Sequence, residues 1–337
     1  MKPVLITGGA GYIGSHFADL YLKKKDNVII FDSLDHGYKE AFLQIKKRHP
    51  GKKIQLIVGD LKSKKDLRRV FEKYQIDSVV HFAAFCQVNE SVNNPDLYFE
   101  NNVTGSINLL NEMSKHNIKN LIFSSTCAVY GETKYLPVDE NHPTNPTNPY
   151  GVSKLIVELM LPWYENKFNM KYVILRYFNV CGAMKNGKIG YGNKRKQNLL
   201  VQDAVKAAVG IHPLHLTYSE VNTRDQTPIR DYVDVLDLSN AHLKAISYLK
   251  KGGTSQIINL GTGKGYSVKE IISEVEKTLN KKIEVVMGER RKGEYAQIYA
   301  SNLKAKKILN WSPTTPLKDS ILSLSKWYKQ NPQGYKK

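Results

Sequence analysis

The sequence predicts an α/β protein in which a doubly wound parallel sheet fills the first half and a smaller C-terminal lobe binds substrate. Three observations carry this. Short β-branched runs alternate with longer segments whose apolar positions recur at three and four, the pattern of a parallel sheet covered on both faces. Glycines stand at positions 8, 11 and 14, directly after the first such run. Beyond Gly182 the alternation loosens into glycine-punctuated mixtures of helix, strand and loop.

Taken in order, the strands are expected near Val4 to Thr7, Asn27 to Asp32, Ile54 to Val58, Ser78 to Phe82, Leu121 to Ser124 and Tyr172 to Arg176. Each is a short β-branched run, and the segments between them have helical spacing. Right-handed crossovers then wind the helices over both faces. Between Gly131 and Pro149 the chain carries Pro137, Pro143 and Pro146, too many fixed φ angles for a helix, so a surface loop is expected there. It delivers the chain to a new helix at Tyr150. Gly187, Gly190 and Gly192 with basic residues between them then open the second part. The expected division is 1–180 for a dinucleotide-binding domain and 181–337 for the substrate lobe, with segments near 230–262 returning to the first domain.

Composition narrows the class. The chain has 337 residues, 41% of them apolar, enough for one large core or two joined ones. No run approaches the ~20 apolar residues of a membrane helix, and Val4-Leu5-Ile6 leads into glycines instead of a cleavage site, so the chain is read as starting at Met1 in the cytoplasm. The three cysteines, Cys86, Cys127 and Cys181, are far apart with no Cys-x-x-Cys pair. Neither a disulfide framework nor a zinc site is indicated, and no metal is expected. A formal charge of +19 would attract polyanions. The lysines are spread along the chain, on outer helix positions such as Lys62, Lys64, Lys65 and Lys73, and no aromatic-basic recognition motif accompanies them. A solvated basic surface, without a specific nucleic-acid partner, is the expectation.

The chemistry lies in two constellations. Gly8, Gly11 and Gly14 follow a strand and open a helix, where glycine allows a tight turn and close approach of backbone amides to a pyrophosphate. Asp32 ends the second strand, placed for a ribose hydroxyl pair, and its charge would repel a 2′-phosphate, favouring NAD over NADP. Asp60, followed by Leu61, ends the third strand over the same crevice, where an adenine amino group could be met. This is a Rossmann pattern. Tyr150 and Lys154 stand four apart at a helix start and share a face. A free phenol ionises near pH 10, but a neighbouring ammonium and a positive nicotinamide both favour the phenolate. The pair makes a general base with its electrostatic support, near Ser124-Ser125-Thr126.

These residues carry a family resemblance. The chain resembles the UDP-glucose 4-epimerases of the extended short-chain dehydrogenase family in Thr7-Gly8-Gly9-Ala10-Gly11-Tyr12-Ile13-Gly14, His81-Phe82-Ala83-Ala84, Asn101-Asn102-Val103 and Phe123-Ser124-Ser125-Thr126. The match continues in Tyr150-Gly151-Val152-Ser153-Lys154, Arg176-Tyr177-Phe178-Asn179, Arg230-Asp231-Tyr232 and Asn259-Leu260-Gly261-Thr262-Gly263. The resemblance implies Thr126, Tyr150 and Lys154 as the catalytic set, with Tyr12, Ile13, Asp32, Asp60, Leu61, Phe82, Ala83, Ala84, Asn101, Lys154 and Phe178 around NAD. It further implies that Thr126, Tyr150, Asn179, Asn198, Leu199, Thr217, Arg230, Arg291, Glu294 and Ile298 hold the UDP-sugar, with the arginines pairing with its diphosphate.

Cys86 departs from a position often basic in the family, Thr217 from an aromatic near the uracil, and Glu294 from an Asp near the ribose. The resemblance also implies interconversion of UDP-glucose and UDP-galactose in galactose metabolism through a 4-keto sugar, NAD retained as a prosthetic group, and a homodimer. Related 4,6-dehydratases carry Asp-Glu after the active-site Thr. Here Thr126 is followed by Cys127 and Ala128, which cannot supply the extra proton transfers. The other readings are a different NAD-dependent nucleotide-sugar epimerase or dehydratase, and a catalytically silent NAD-binding protein. By the same resemblance Ile298 occupies the gate beside the sugar 2-position, and its size, between Tyr and small residues, implies plain hexoses over N-acetyl sugars. The three cysteines each follow the carboxyl end of a strand, which predicts a thiol-lined rim at the nicotinamide.

Overall fold

The computed structural model describes residues 2–192, 194, 199–289 and 295–335. Contacts group the chain into two units, neither continuous in sequence. The first comprises Met1–Glu132, Pro143–Arg176 and Ser239–Ile258, the second Thr133–His142, Tyr177–Leu238 and Asn259–Lys337.

In the first unit, β1 (Val4–Thr7), α1 (Tyr12–Lys24), β2 (Asn27–Asp32), α2 (Lys39–Arg48), β3 (Lys53–Val58), α3 (Lys64–Lys73) and β4 (Ser78–His81) alternate as the β-branched runs require. Then come α4 (Val88–Asn93), α5 (Pro95–Tyr98), a π-helical turn (Phe99–Thr104), α6 (Gly105–Lys115), β5 (Asn120–Thr126), α7 (Pro149–Phe168) and β6 (Lys171–Tyr177). The sheet has seven strands in the order β10-β6-β5-β4-β1-β2-β3, where β10 is Gln256–Leu260. β1 pairs in parallel with both β2 and β4. Strand order therefore reverses between β1 and β4, the place where open α/β sheets form a crevice beyond their carboxyl ends. All four residues of β1 are buried, as expected for a strand covered on both faces.

α3 shows how the local sequence builds a layer. Ser63 caps it, its hydroxyl accepting from the Asp66 amide at 3.2 Å, worth about 1 kcal/mol. Leu67, Val70 and Phe71 face inward while Lys64, Lys65, Arg68, Arg69 and Lys73 stay in water. Those apolar side chains join Leu5, Phe31, Val79, Leu109, Phe123, Leu161 and Ile174 in one core, each buried side chain contributing roughly 1.5–3 kcal/mol.

The second unit contains β7 (Asn179–Cys181), α8 (Leu200–Ala208), β8 (Leu214–Leu216), β9 (Ile229–Asp234), β11 (Gly265–Ser267), α10 (Val268–Leu279), β12 (Val285–Met287), β13 (Gln297–Ile298), α11 (Leu303–Leu309) and α12 (Leu317–Gln330). α9 (Val235–Lys250) starts in it and ends in the first unit. β9 is the hub, pairing with β7 and β13 in parallel and with β11 antiparallel. The buried Asp231 carboxylate ties this sheet to the next loop, accepting from the amides of Thr262, Gly263 and Ala300. The proline-rich segment is free of helix but is not wholly a surface loop. Val138 and His142 are buried, and Val138 exchanges backbone bonds with Tyr299 and Ser301. No helix among the described residues is long and apolar enough to cross a membrane.

Candidate active site

The glycine turn has the geometry its sequence demands. Gly8 adopts φ +71°, and a Cβ there would lie 2.6 Å from the Ala83 amide nitrogen. At Gly14 a Cβ would lie 2.3 Å from the Gly8 carbonyl oxygen, so the turn closes against β4 and against α1 with no room for a side chain. Phe82 and Ala83 both donate their amides to the Thr7 carbonyl, at 3.0 and 3.1 Å, which holds them directly beside the turn. Gly11 caps α1 without a side-chain bond, and no acid stands in the first helical turn. That leaves Tyr12, Ile13 and the neighbouring amides at a helix start whose dipole favours an anion.

Asp32 is buried, and its carboxylate accepts from the amides of Ala10 and Leu34, each at 2.9 Å. A Cβ on Gly37 would collide with it at 2.5 Å, so the loop after β2 wraps the carboxylate tightly. Asp60 is partly exposed and accepts from the Lys62 amide at 2.8 Å. Asn108 anchors the next residue by donating to the Leu61 carbonyl at 3.0 Å. Asn101 sits in the π-helical turn and donates to Asn102 at 3.0 Å. Asn102, in turn, accepts from the Phe85 amide and donates to its carbonyl, at 2.8 and 3.0 Å. Insertions of this kind into a helix recur at functional sites.

Across the same unit, α7 presents the other constellation. The Asn148 side chain caps it by accepting from the Gly151 amide at 2.9 Å, and Pro149 occupies the first helical position, where its missing N–H costs nothing. Tyr150 is half-buried and stacks edge-on to Tyr98, ring centroids 6.4 Å apart. Ser153 donates to the Tyr150 carbonyl at 2.8 Å and accepts from Asn102 at 2.9 Å, linking this helix to the π-helical turn. Lys154 is 4% exposed. Its ammonium donates to the Ser124 carbonyl at 2.8 Å and lies 5.0 Å from the centre of the Phe123 ring. Burial pulls its pKa from 10.5 down to about 8, opposed by Cys86 and Glu158. Thr126, at the end of β5, is buried and accepts from the Ala128 amide at 3.2 Å. The first unit thus brings together the glycine turn, Asp32, Thr126, Tyr150 and Lys154.

Several supporting residues were not read from the sequence. The carboxylate of buried Glu158, one helical turn beyond Lys154, takes a bidentate bond from Arg176 and a hydroxyl bond from Ser125. The spacing of four from Lys154 was the available signal. Tyr98 donates to Glu90 at 2.8 Å. His242, fully buried, lies 4.7 Å ring to ring from Phe82 and 3.4 Å from the Ser124 hydroxyl. Nothing local in the sequence connects it to positions over a hundred residues earlier.

In the second unit, Arg230 donates from its two terminal nitrogens to the Ile229 and Tyr295 carbonyls, at 2.9 and 3.0 Å. The buried Ile298 is its register partner across β13 and β9. Asn179 is exposed at the head of β7, and Phe178 beside it is buried, its amide bonded to the Leu260 carbonyl at 3.4 Å. Leu199 caps α8. Thr217 follows β8, its methyl 3.1 Å from where a Cβ on Gly288 would stand. Asn198, Arg291 and Glu294 lie outside the described residues.

The cysteines correct one expectation. Cys86 is exposed and Cys127 half-buried, but Cys181 is fully buried at the end of β7. Burial, with Asp234 nearby, drives the Cys181 thiol far above its usual range. A thiol rim therefore reduces to Cys86 and Cys127. No group of His, Cys, Asp or Glu among the described residues is arranged to hold a metal ion.

Comparison with known proteins places the whole chain. The family model described as GDP-mannose 4,6 dehydratase matches residues 5–323. The UDP-glucose 4-epimerase of Halalkalibacterium halodurans is 40% identical over 334 residues, 98% of this chain and 97% of that protein. The enzyme of the same name from Streptococcus mutans is 38% identical over 336 residues, with 98% of both covered. Among solved structures, UDP-glucose 4-epimerase from Bifidobacterium longum in complex with NAD+ and UDP superposes with a TM-score of 0.93 at 37% identity, covering 99% of this chain and 100% of that one. The Brucella ovis UDP-glucose 4-epimerase in complex with NAD gives 0.88 at 36% identity, with 96% and 98% covered. Matched from end to end at this identity, with its backbone preserved throughout, the chain belongs to the UDP-glucose 4-epimerase family.

Proposed function

We propose that this protein interconverts UDP-galactose and UDP-glucose through a 4-keto sugar, in galactose metabolism, with NAD held as a prosthetic group. The observation that carries the reading is the head of α7, where Tyr150 shares a unit with the buried, Ser124-bonded Lys154 and the glycine turn. The residues fit the cofactor. A cradle that a Cβ at Gly8 or Gly14 would fill admits backbone close to a pyrophosphate, and the fixed Asp32 carboxylate suits a ribose diol. When bound, NAD supplies the reversible hydride acceptor for sugar C4.

The chain's own groups do the rest. Tyr150 as phenolate removes the 4-hydroxyl proton, assisted by the Thr126 hydroxyl, and returns it at the end of the cycle. Lys154 stabilises the phenolate. The second unit grips UDP through Arg230, Asn179 and Leu199, with Asn198, Arg291 and Glu294, while the sugar is held loosely enough to turn over. Thr126 is followed by Cys127 and Ala128, so the extra acid and base of a dehydratase are missing from those positions. Cys86 and Cys127, neither of them in a disulfide, suit a reducing cytoplasm.

A homodimer is part of the same proposal. Leu159 and Trp163 are 63% and 74% exposed on one face of α7, with Leu155 on the same stripe, an apolar surface suited to a second copy. Trp163→Glu should then sediment as a monomer, and an unchanged mass would count against that face. The activity itself is tested by supplying UDP-galactose without added oxidant. Formation of UDP-glucose, with dinucleotide released only on denaturation, is expected. Failure to turn over would leave the chain as a silent binding protein.

A further inference from the structure

The second unit holds a charge pair, its lysine buried and its aspartate half-buried, that the proposed reaction does not use. Asp203, in the first turn of α8, closes on the cap residue Leu199 from both directions. Its amide donates to the Leu199 carbonyl at 2.8 Å, and its carboxylate Oδ2 accepts from the Leu199 amide at 3.0 Å. The other oxygen, Oδ1, takes a bond from the Lys206 ammonium at 2.9 Å. The Lys206 side chain is 8% exposed, and its ammonium lies 5.2 Å from the centre of the fully buried Tyr328 ring on α12. Next to Asp203, buried Gln202 donates to the Val180 carbonyl at 3.0 Å, fixing the same helical turn to the strand that starts at Asn179. α12 also grips the chain on the approach to this helix, for Trp327 donates to the Tyr191 carbonyl at 3.0 Å.

Such an ion pair is weak as a stabilising device, because desolvation of the ammonium offsets much of the attraction. Its placement here has a positional logic instead. The first amides of a helix fray unless something accepts from them, and Asp203 holds one of them in a fixed direction. Lys206 neutralises the carboxylate that makes this bond and holds it from the other side.

We propose that Asp203 and Lys206 are positioning residues for the nucleotide end of the substrate, setting the start of α8 and thereby Leu199 and Asn179. The inference rests on the proposed binding of UDP by this unit. It is tested on the intact enzyme with two variants, UDP serving as the probe. The double variant Asp203→Leu, Lys206→Met strands no buried charge and should fold. It should raise the inhibition constant of UDP and the KM for UDP-galactose about tenfold, the scale of one lost charge-assisted hydrogen bond. kcat should stay within about twofold and retained dinucleotide should be unchanged, since neither residue touches the first unit's chemistry. Asp203→Asn combined with Lys206→Met keeps an acceptor for the Leu199 amide, again strands no buried charge, and should recover affinity to within about threefold of the parent. An unchanged inhibition constant in the first double variant, or a fall in kcat with KM unmoved, overturns the proposal. A parent enzyme that binds no UDP overturns the reading of the whole unit, and is told apart because the parent itself then fails.

Discussion

Replacing Lys154 by Met separates the two things this lysine does. The folded state holds the group at about 8 instead of 10.5, and at about 1.4 kcal/mol for each pH unit, keeping it charged at neutral pH costs about 3 kcal/mol. Met removes that cost but leaves the Ser124 carbonyl without its 2.8 Å donor, a loss of about 1–3 kcal/mol. The two nearly cancel, so the variant should melt within about 5 °C of the parent. Activity should behave differently. A phenol that ionises near pH 10 is only about 0.1% phenolate at pH 7, and an ammonium within a few ångströms lowers its pKa by about 1–3. Lys154→Met should therefore cut turnover of UDP-galactose at pH 7 by roughly 100-fold, and the deficit should shrink as pH rises toward 10. In the parent the supporting charge is lost as pH passes about 8, so its rate should decline there and the two profiles should converge.

Thermal melts across the same range give a second check. Between about 8 and 10.5 the unfolded chain binds a proton at this lysine that the folded chain does not, so the group makes stability rise with pH. That rise should be missing from the variant. Turnover within about threefold of the parent at pH 7, or a deficit independent of pH, would refute the argument.

Other outcomes follow from neighbouring residues. Tyr150→Phe should keep its dinucleotide and lose at least ~100-fold in turnover, the scale of a positioned general base, and near-normal rates would end that role. Gly14→Ala, whose Cβ would stand 2.3 Å from the Gly8 oxygen, should release a smaller yield of dinucleotide on denaturation, whereas a full yield would show the turn can yield. With Ile298 at the proposed sugar gate, UDP-glucose and UDP-galactose should outpace the N-acetyl pair, and equal catalytic efficiencies would refute the size argument. Alkylating reagents should inactivate with label on Cys86 or Cys127, UDP slowing the loss, while Cys181 stays unlabelled in the folded protein; full activity after complete labelling of the two accessible thiols would exclude them from the site.

Much of this molecule is legible in local sequence because a buried parallel strand writes itself as a β-branched run. Val4 to Thr7 and Asn27 to Asp32 match their strands to the residue. Others are displaced by one or two positions, since strand ends are decided by pairing: β4 stops at His81, and just beyond it Phe82 and Ala83 both bond the one Thr7 carbonyl. Gln256–Leu260 is a different matter. Its membership of the large sheet depends on a neighbour some eighty residues earlier, and no periodicity encodes a partner. The two- and three-residue strands around β9 are too short to carry a pattern. At the site, the spacing of Tyr150 and Lys154 and the glycine triplet could be read directly. Asn102 could not, because a π-helical turn changes which residues share a face, and the burial of Cys181 was decided by packing.

The first unit is written in three separate stretches, the last of them Ser239–Ile258. That order governs its birth on the ribosome. Until residue 242 has been made Phe82 lacks the His242 ring packed against it, and until residue 260 has been made β6 has no complete β10 beside it. The nascent first half must wait with an unpaired strand edge exposed, the condition under which a chain is prone to aggregate. A fragment ending at residue 180 would be held in that state permanently, so the glycine turn and the Tyr150–Lys154 helix should not be obtainable as an independently folding piece, although every residue named in them has already been synthesised.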